Sequence, residues 1–202
     1  MTYTKSTLSR RYGFTLVELL VVISIIAILA SLGFAVFHPM LEKGKKTSAL
    51  MAIKGLVDAT NDYFDDYGTL PLNEGRKTDD EILSDNELMS VLVGLESARE
   101  ENPRGTSYFK YKKASGKGEG MFDGLDRTRS RAQLYGPWKN KQASDRLYRL
   151  KMDYNNDGEI DEPSQFGSDT VFEQKVLVYH LGKDGEAGPG KNKDNVYNYK
   201  QR

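Results

Sequence analysis

Residues 13–37 read Gly-Phe-Thr-Leu-Val-Glu-Leu-Leu-Val-Val-Ile-Ser-Ile-Ile-Ala-Ile-Leu-Ala-Ser-Leu-Gly-Phe-Ala-Val-Phe, and this stretch decides the architecture. From Phe14 to Phe37, 19 of 24 residues are apolar and Glu18 carries the only charge. At ~1.5 Å per residue, such a helix is about 36 Å long, enough to cross a ~30 Å hydrocarbon core. A cleaved secretory signal usually has an apolar region of only ~7–15 residues. The run is therefore expected to be a transmembrane helix over residues 14–37. Ahead of it, residues 1–13 hold Lys5, Arg10 and Arg11 and no acid. Such a cationic leader stays cytoplasmic and sends the following domain, residues 38–202, outward.

Glu18 does not suit a plain anchor. A carboxylate centred in a spanning helix costs about 2.5–3.5 kcal/mol on insertion scales and is by default a functional group with a partner. Cleavage after Gly13 would give Phe14 a free α-ammonium. Glu18 of one chain is then the natural partner for the Phe14 ammonium of a neighbour when such helices bundle.

Gly13-Phe14-Thr15-Leu16-Val17-Glu18, with the basic leader before it and the apolar run after it, resembles the type III signal of type IV pilins and pseudopilins. The resemblance covers about residues 5–37. It implies cutting between Gly13 and Phe14 by prepilin peptidase, N-methylation of Phe14, and use of Glu18 in filament assembly. The family often bends its helix with a proline near residue 35; this chain has Ala35 there and Pro39 one turn later.

Beyond the run, Ala49, Ile53, Leu56, Val57, Thr60, Tyr63, Phe64 and Tyr67 recur at helical steps. Lys43, Lys45, Lys46, Asp58, Asp62, Asp65 and Asp66 fall mainly off that face. Gly68 and Pro71 mark the stop. The helix from Phe14 would then have about 54 residues and span ~80 Å. Glu81–Leu95 is expected to be a second helix capped by Asp85 or Asn86. Asn102–Gly105 reads as a turn, Ser107–Lys112 as an edge strand, and Lys113–Arg131 as an exposed loop. Leu147–Met152 and Val171–Leu181 alternate as antiparallel strands. The fold class is α+β: a long N-terminal helix packed on a small antiparallel sheet. Tyr63–Pro71 resembles the helix exit of the major pseudopilins of type II secretion. Tyr135–Asn140 is similar, imperfectly, to their Asp-Pro-Trp-Gly-Asn-Pro turn.

Charges balance, with 29 Lys+Arg against 29 Asp+Glu, so a globally basic nucleic-acid binder is disfavoured. Acids break the basic run at 110–131, no stacking aromatics accompany it, and no nucleic acid is expected as partner. There is no Cys, which excludes disulfides and Cys-ligated metal; the two histidines, His38 and His180, make a His-built zinc site improbable. No nucleophile elbow or phosphate loop is present, so the chain is not expected to be an enzyme.

Two loops carry oxygen donors. Asp153, Asn155, Asp157 and Asp161 occupy the acidic positions of an EF-hand-type loop around Gly158, but its closing position holds Ser164. The alternative is a hairpin turn at Asn156-Asp157-Gly158. His180–Asp194, with Asp184, Asp194 and four glycines, resembles the C-terminal calcium loop of major pseudopilins. The alternative there is a flexible glycine-rich loop. Ca²⁺ is the one cofactor entertained, since a domain with no Cys needs another staple.

The resemblance implies a structural subunit of a type II secretion pseudopilus or type IV pilus-like filament. Its partners would be copies of itself, prepilin peptidase, the inner-membrane assembly platform, minor pilins or pseudopilins, and membrane lipid before assembly. It would start as a single-pass inner-membrane protein with a cytoplasmic N-terminus and a periplasmic domain. The competing reading is a permanently membrane-anchored periplasmic binding or enzymatic domain.

Overall fold

A computed structural model describes residues 13–76, 78–167, 169–188 and 194–199; within the first helix, the side chains of residues 32–36 and 38 are not described. The leader up to residue 12 and residues 189–193 of the glycine-rich loop lie outside the described residues. The chain forms two units divided between Glu42 and Lys43.

Helix α1 runs over Leu16–Tyr67, 52 residues, with Pro39 inside it. Among its described side chains in the first unit, none is buried. Its large apolar side chains are exposed, from 44% at Val22 to 86% at Leu16. Among the described residues, no helix is long and apolar enough to cross a membrane.

In the second unit, α1 turns Ala49, Ala52, Ile53, Leu56, Ala59 and Tyr63 into the core. The expected stripe is thus the buried face, with Val57, Phe64 and Tyr67 half-buried at its margins. The helix stops as expected: Gly68 adopts φ 69° and its N–H donates to the Phe64 carbonyl (2.7 Å).

Opposite α1 lies a four-stranded antiparallel sheet in the order β1-β4-β7-β8, made of Ile82–Leu83, Arg149–Met152, Val176–His180 and Val196–Tyr197. Leu150 pairs with both Ile82 and Val178, which sets the register of its middle. Two hairpins complete the fold: β2 (Gly124–Arg127) with β3 (Ala132–Tyr135), and β5 (Glu159–Asp161) with β6 (Thr170–Phe172).

Several expected elements change. The second helix, α2, is only Asn86–Leu92, because Ile82 and Leu83 join the sheet and Asp85 caps the helix through the N–H groups of Glu87 and Leu88. Gly94, at φ 68°, ends it. Ser107–Lys112 is extended but is not a strand: the N–H groups of Tyr108 and Phe109 both donate to the Leu92 carbonyl rather than to a ladder. The supposed loop 113–131 contains β2. Val171–Leu181 splits into two strands of different sheets, with Glu173 at φ 62° between them.

Two buried polar side chains tie these short elements together. Ser84 Oγ donates to the Leu134 carbonyl (2.7 Å) and accepts from the Tyr148 N–H (2.9 Å). Asn102 Nδ2 donates to the carbonyls of Val91 and Thr106, while its Oδ1 accepts from the Tyr67 hydroxyl and the Thr106 N–H. A third junction is steric. A Cβ on Gly136 would lie 2.1 Å from His180 Nε2. Gly136→Ala is therefore expected to destabilise by about 1–3 kcal/mol or more through overpacking. Gly44→Ala, with nothing within 4 Å of the new methyl, should stabilise its helix by roughly 0.5–1 kcal/mol. Thermal melting of the two variants in detergent checks the contrast.

Candidate functional site

The N-terminal site is built from the start of α1. Thr15 precedes its first residue, and Glu18 lies three positions on. The Thr15 N–H and hydroxyl both donate to Glu18 Oε2 (2.8 Å each), and the Glu18 N–H donates to Thr15 Oγ1 (3.2 Å). This is a capping box, which satisfies N–H groups that the first helical turn leaves open. Glu18 Oε1 has no hydrogen-bond partner among the described residues. Phe14 is 74% exposed just ahead of the cap. Glu18 therefore has a local role, starting its own helix, that the reading as an intermolecular ion-pair partner alone did not contain. The Thr-x-x-Glu spacing was the signal for it.

Residues 8–34 match the prokaryotic N-terminal methylation motif. The methylation motif indicates a type IV pilin-like substrate of prepilin peptidase and so a membrane-anchored precursor. It covers 27 of 202 residues and leaves the rest of the chain without a counterpart. No curated protein and no solved structure gives a significant match to the chain.

The acid-rich loop after β4 takes a form that the sequence did not predict. Asp153 and Asp157 lie together, but they are joined by Asp79 from a segment 74 positions earlier, with one carboxylate oxygen from each within 4.8 Å of the others. Asp161 is apart from them: it belongs to β5 and accepts from the Thr170 hydroxyl (2.9 Å). Asn155 spends its side chain inside the turn, on Asp157. The hairpin alternative also falls, because β4 pairs with β7 while β5 pairs with β6. Burial first, and then the charges of Asp153 and Asp157, raise the Asp79 pKa, against the lowering effect of the Tyr154 N–H (3.0 Å). Three acids held this close favour a bound cation or a retained proton.

The second loop begins at His180, the last residue of β7. Asp194 Oδ2 accepts from the N–H groups of Lys183 (2.5 Å) and Asp184 (3.1 Å), which draws the two acids of the sequence pattern to one turn. Gly182, at φ 72°, lets the chain pass Asp194. Asn140, from the turn that holds Trp138, donates to the Gly182 carbonyl (3.1 Å). Its Oδ1 is buried without a hydrogen-bond partner. Amide and carboxylate oxygens such as those of Asn140, Asp184 and Asp194 are of the kind that suits a hard cation. Asn140 was missed because nothing local in its sequence marks it as a ligand.

His180 holds this loop in place. It is fully buried between Trp138 and Tyr148, at ring distances of 5.2 and 5.1 Å. Its Nδ1 accepts from the Gly182 N–H (3.0 Å), which assigns the proton of the neutral ring to Nε2, 3.4 Å from the Arg146 carbonyl. Burial pushes its pKa down from 6.5 to about 4. The unfolded chain takes up this proton near pH 6.5, and the folded chain only near 4. The stability it contributes is thus complete above 6.5 and is lost as pH falls toward 4, by about 3 kcal/mol in total. NMR titration should show the His180 ring remaining neutral well below pH 6, and the melting temperature should fall less over this window in His180→Gln.

Proposed function

We propose that this chain is a structural, non-enzymatic subunit of a type II secretion pseudopilus or type IV pilus-like filament. One observation carries the reading: Gly13-Phe14 stands just ahead of the Thr15–Glu18 cap, at the head of a helix whose described apolar side chains up to Ser31 are all exposed. Such a surface needs lipid or other copies around it. The pathway then runs from a single-pass inner-membrane precursor with its second unit in the periplasm to an assembled filament. Prepilin peptidase, the assembly platform and minor subunits act on it along the way.

The test separates the cap from the charge. Protein from its native membrane should have lost residues 1–13 and carry a methyl on Phe14 by intact mass. Glu18→Gln keeps a side chain that can close the capping box, but removes the charge. It should be inserted and cleaved yet absent from filaments. Thr15→Ala keeps the charge and weakens the cap by about 1 kcal/mol. It should still assemble. Uncleaved full-length protein as the stable species would favour the permanent anchor instead.

Calcium belongs to the same proposal. Asp184, Asp194 and Asn140 would hold it, closing the glycine-rich loop onto the Trp138 turn, and Asp79-Asp153-Asp157 is the alternative seat. A ligand bound only to the folded state adds about 2.7 kcal/mol at 100 times its Kd. The melting temperature should therefore be higher in calcium than in chelator. Asp194→Asn should abolish that difference, and Asp157→Asn should leave it. Asp79→Asn should match or exceed wild type in chelator, because it relieves repulsion among the three acids.

A further inference from the structure

Some charged side chains of the second unit are paired within it. Arg149 meets Glu81 (2.6 Å) and Asp145 (3.3 Å), Lys112 meets Asp123 (2.7 Å), and Arg131 meets Asp126 (2.8 Å). Two exposed groups lack such pairs and border concave surfaces. Asp58 and Asp65 of α1 are exposed and make no ion pair or side-chain hydrogen bond among the described residues. The same holds for Lys110, Lys113 and Arg127.

These groups lie on opposite flanks of α1. The acids border a groove of about 1040 Å³ between α1 and the β7–β8 edge, lined by Leu50, Val57, Asp58, Asp65, Glu173 and Val176 among others. Leu50 is 48% exposed at this groove. Lys54 and Lys175 also face it, the latter with its Nζ 3.8 Å from the Phe64 ring centre, and the acids outnumber them. The cations border a shallow cleft of about 360 Å³ that contains no acid, lined by Phe109, Lys110, Tyr111, Lys113, Leu125 and Arg127. The segment carrying this cleft is fastened to α1 at three points: Tyr111 to Ser48 (2.8 Å), Phe109 against Gly55, and Tyr108 to Asp66 (2.7 Å). On the helical wheel, positions 48, 55 and 66 lie about 120° from positions 50, 57, 58 and 65.

One chain thus carries two unlike surfaces of opposite charge, each with an apolar floor. A contact between unlike patches of identical chains is heterologous, and when its rotation does not close it builds a helical fibre. We propose that the basic cleft of Lys110, Lys113 and Arg127 seats against the Asp58-Asp65 face of the next copy of this chain. The proposal rests on the filament reading and adds to it the pair of surfaces that meet.

The absence of cysteine gives a clean test in the full-length, processed protein. Chains carrying both Asp65→Cys and Lys113→Cys, treated with a short bismaleimide in sheared filaments, should give a ladder of multimers. Either single variant alone should stay monomeric. Lys113→Glu with Arg127→Glu should lose filaments, as should Asp58→Lys with Asp65→Lys, and the combined swap should restore them. Filaments that form normally in both reversals and show no ladder would overturn the interface while leaving the filament reading intact. Wild type that is cleaved and methylated but never assembles would overturn both. Normal filaments from the Lys113→Glu, Arg127→Glu variant, with loss of wild-type retention on duplex DNA, would assign the cleft to a nucleic acid and overturn the interface.

Discussion

The second unit depends on one covered surface: the face of α1 that runs from Ala49 through Ile53 and Leu56 to Tyr63. Its strands have two to five residues, and sheets that small do not stand alone in water. The helix supplies the wall that they pack against, and the strands, α2 and the 107–113 segment share one continuous core with it. Gly55 shows how closely the parts fit. A Cβ there would come within 3.1 Å of the Phe109 ring, so the missing side chain is what admits the aromatic.

The first unit depends on the opposite condition, a surface with no cover. Residues of the same helix that are apolar on every side have no single face to bury. This division accounts for how the one element serves two purposes. The all-round apolar run gives way to a one-sided stripe after residue 40, and from there the helix scaffolds the core.

The long helix, its exit at Gly68 and the α+β class were legible because each rests on local signals: an apolar run, a 3.6-residue stripe, a stop glycine. What failed was non-local. Val171–Leu181 looked like one strand because alternation does not reveal a partner change at Glu173. Ser107–Lys112 looked like a strand because its pattern does not show that its N–H groups are taken by α2. At the candidate sites, Gly13, Phe14 and Glu18 were plain from contiguous sequence. Asp79 and Asn140 were invisible, since each reaches its loop from a distant segment. Asp161 was overread from loop spacing alone.

Both edges of the main sheet, β1 and β8, are only two residues long, and much of the interior is tied instead by single side chains such as Ser84 and Asn102. A long bare edge is a template on which a second chain can add strands without limit. Short edges deny that template. Many copies can therefore be crowded side by side at high local concentration without their sheets fusing into amyloid-like stacks, so close packing can remain orderly and reversible.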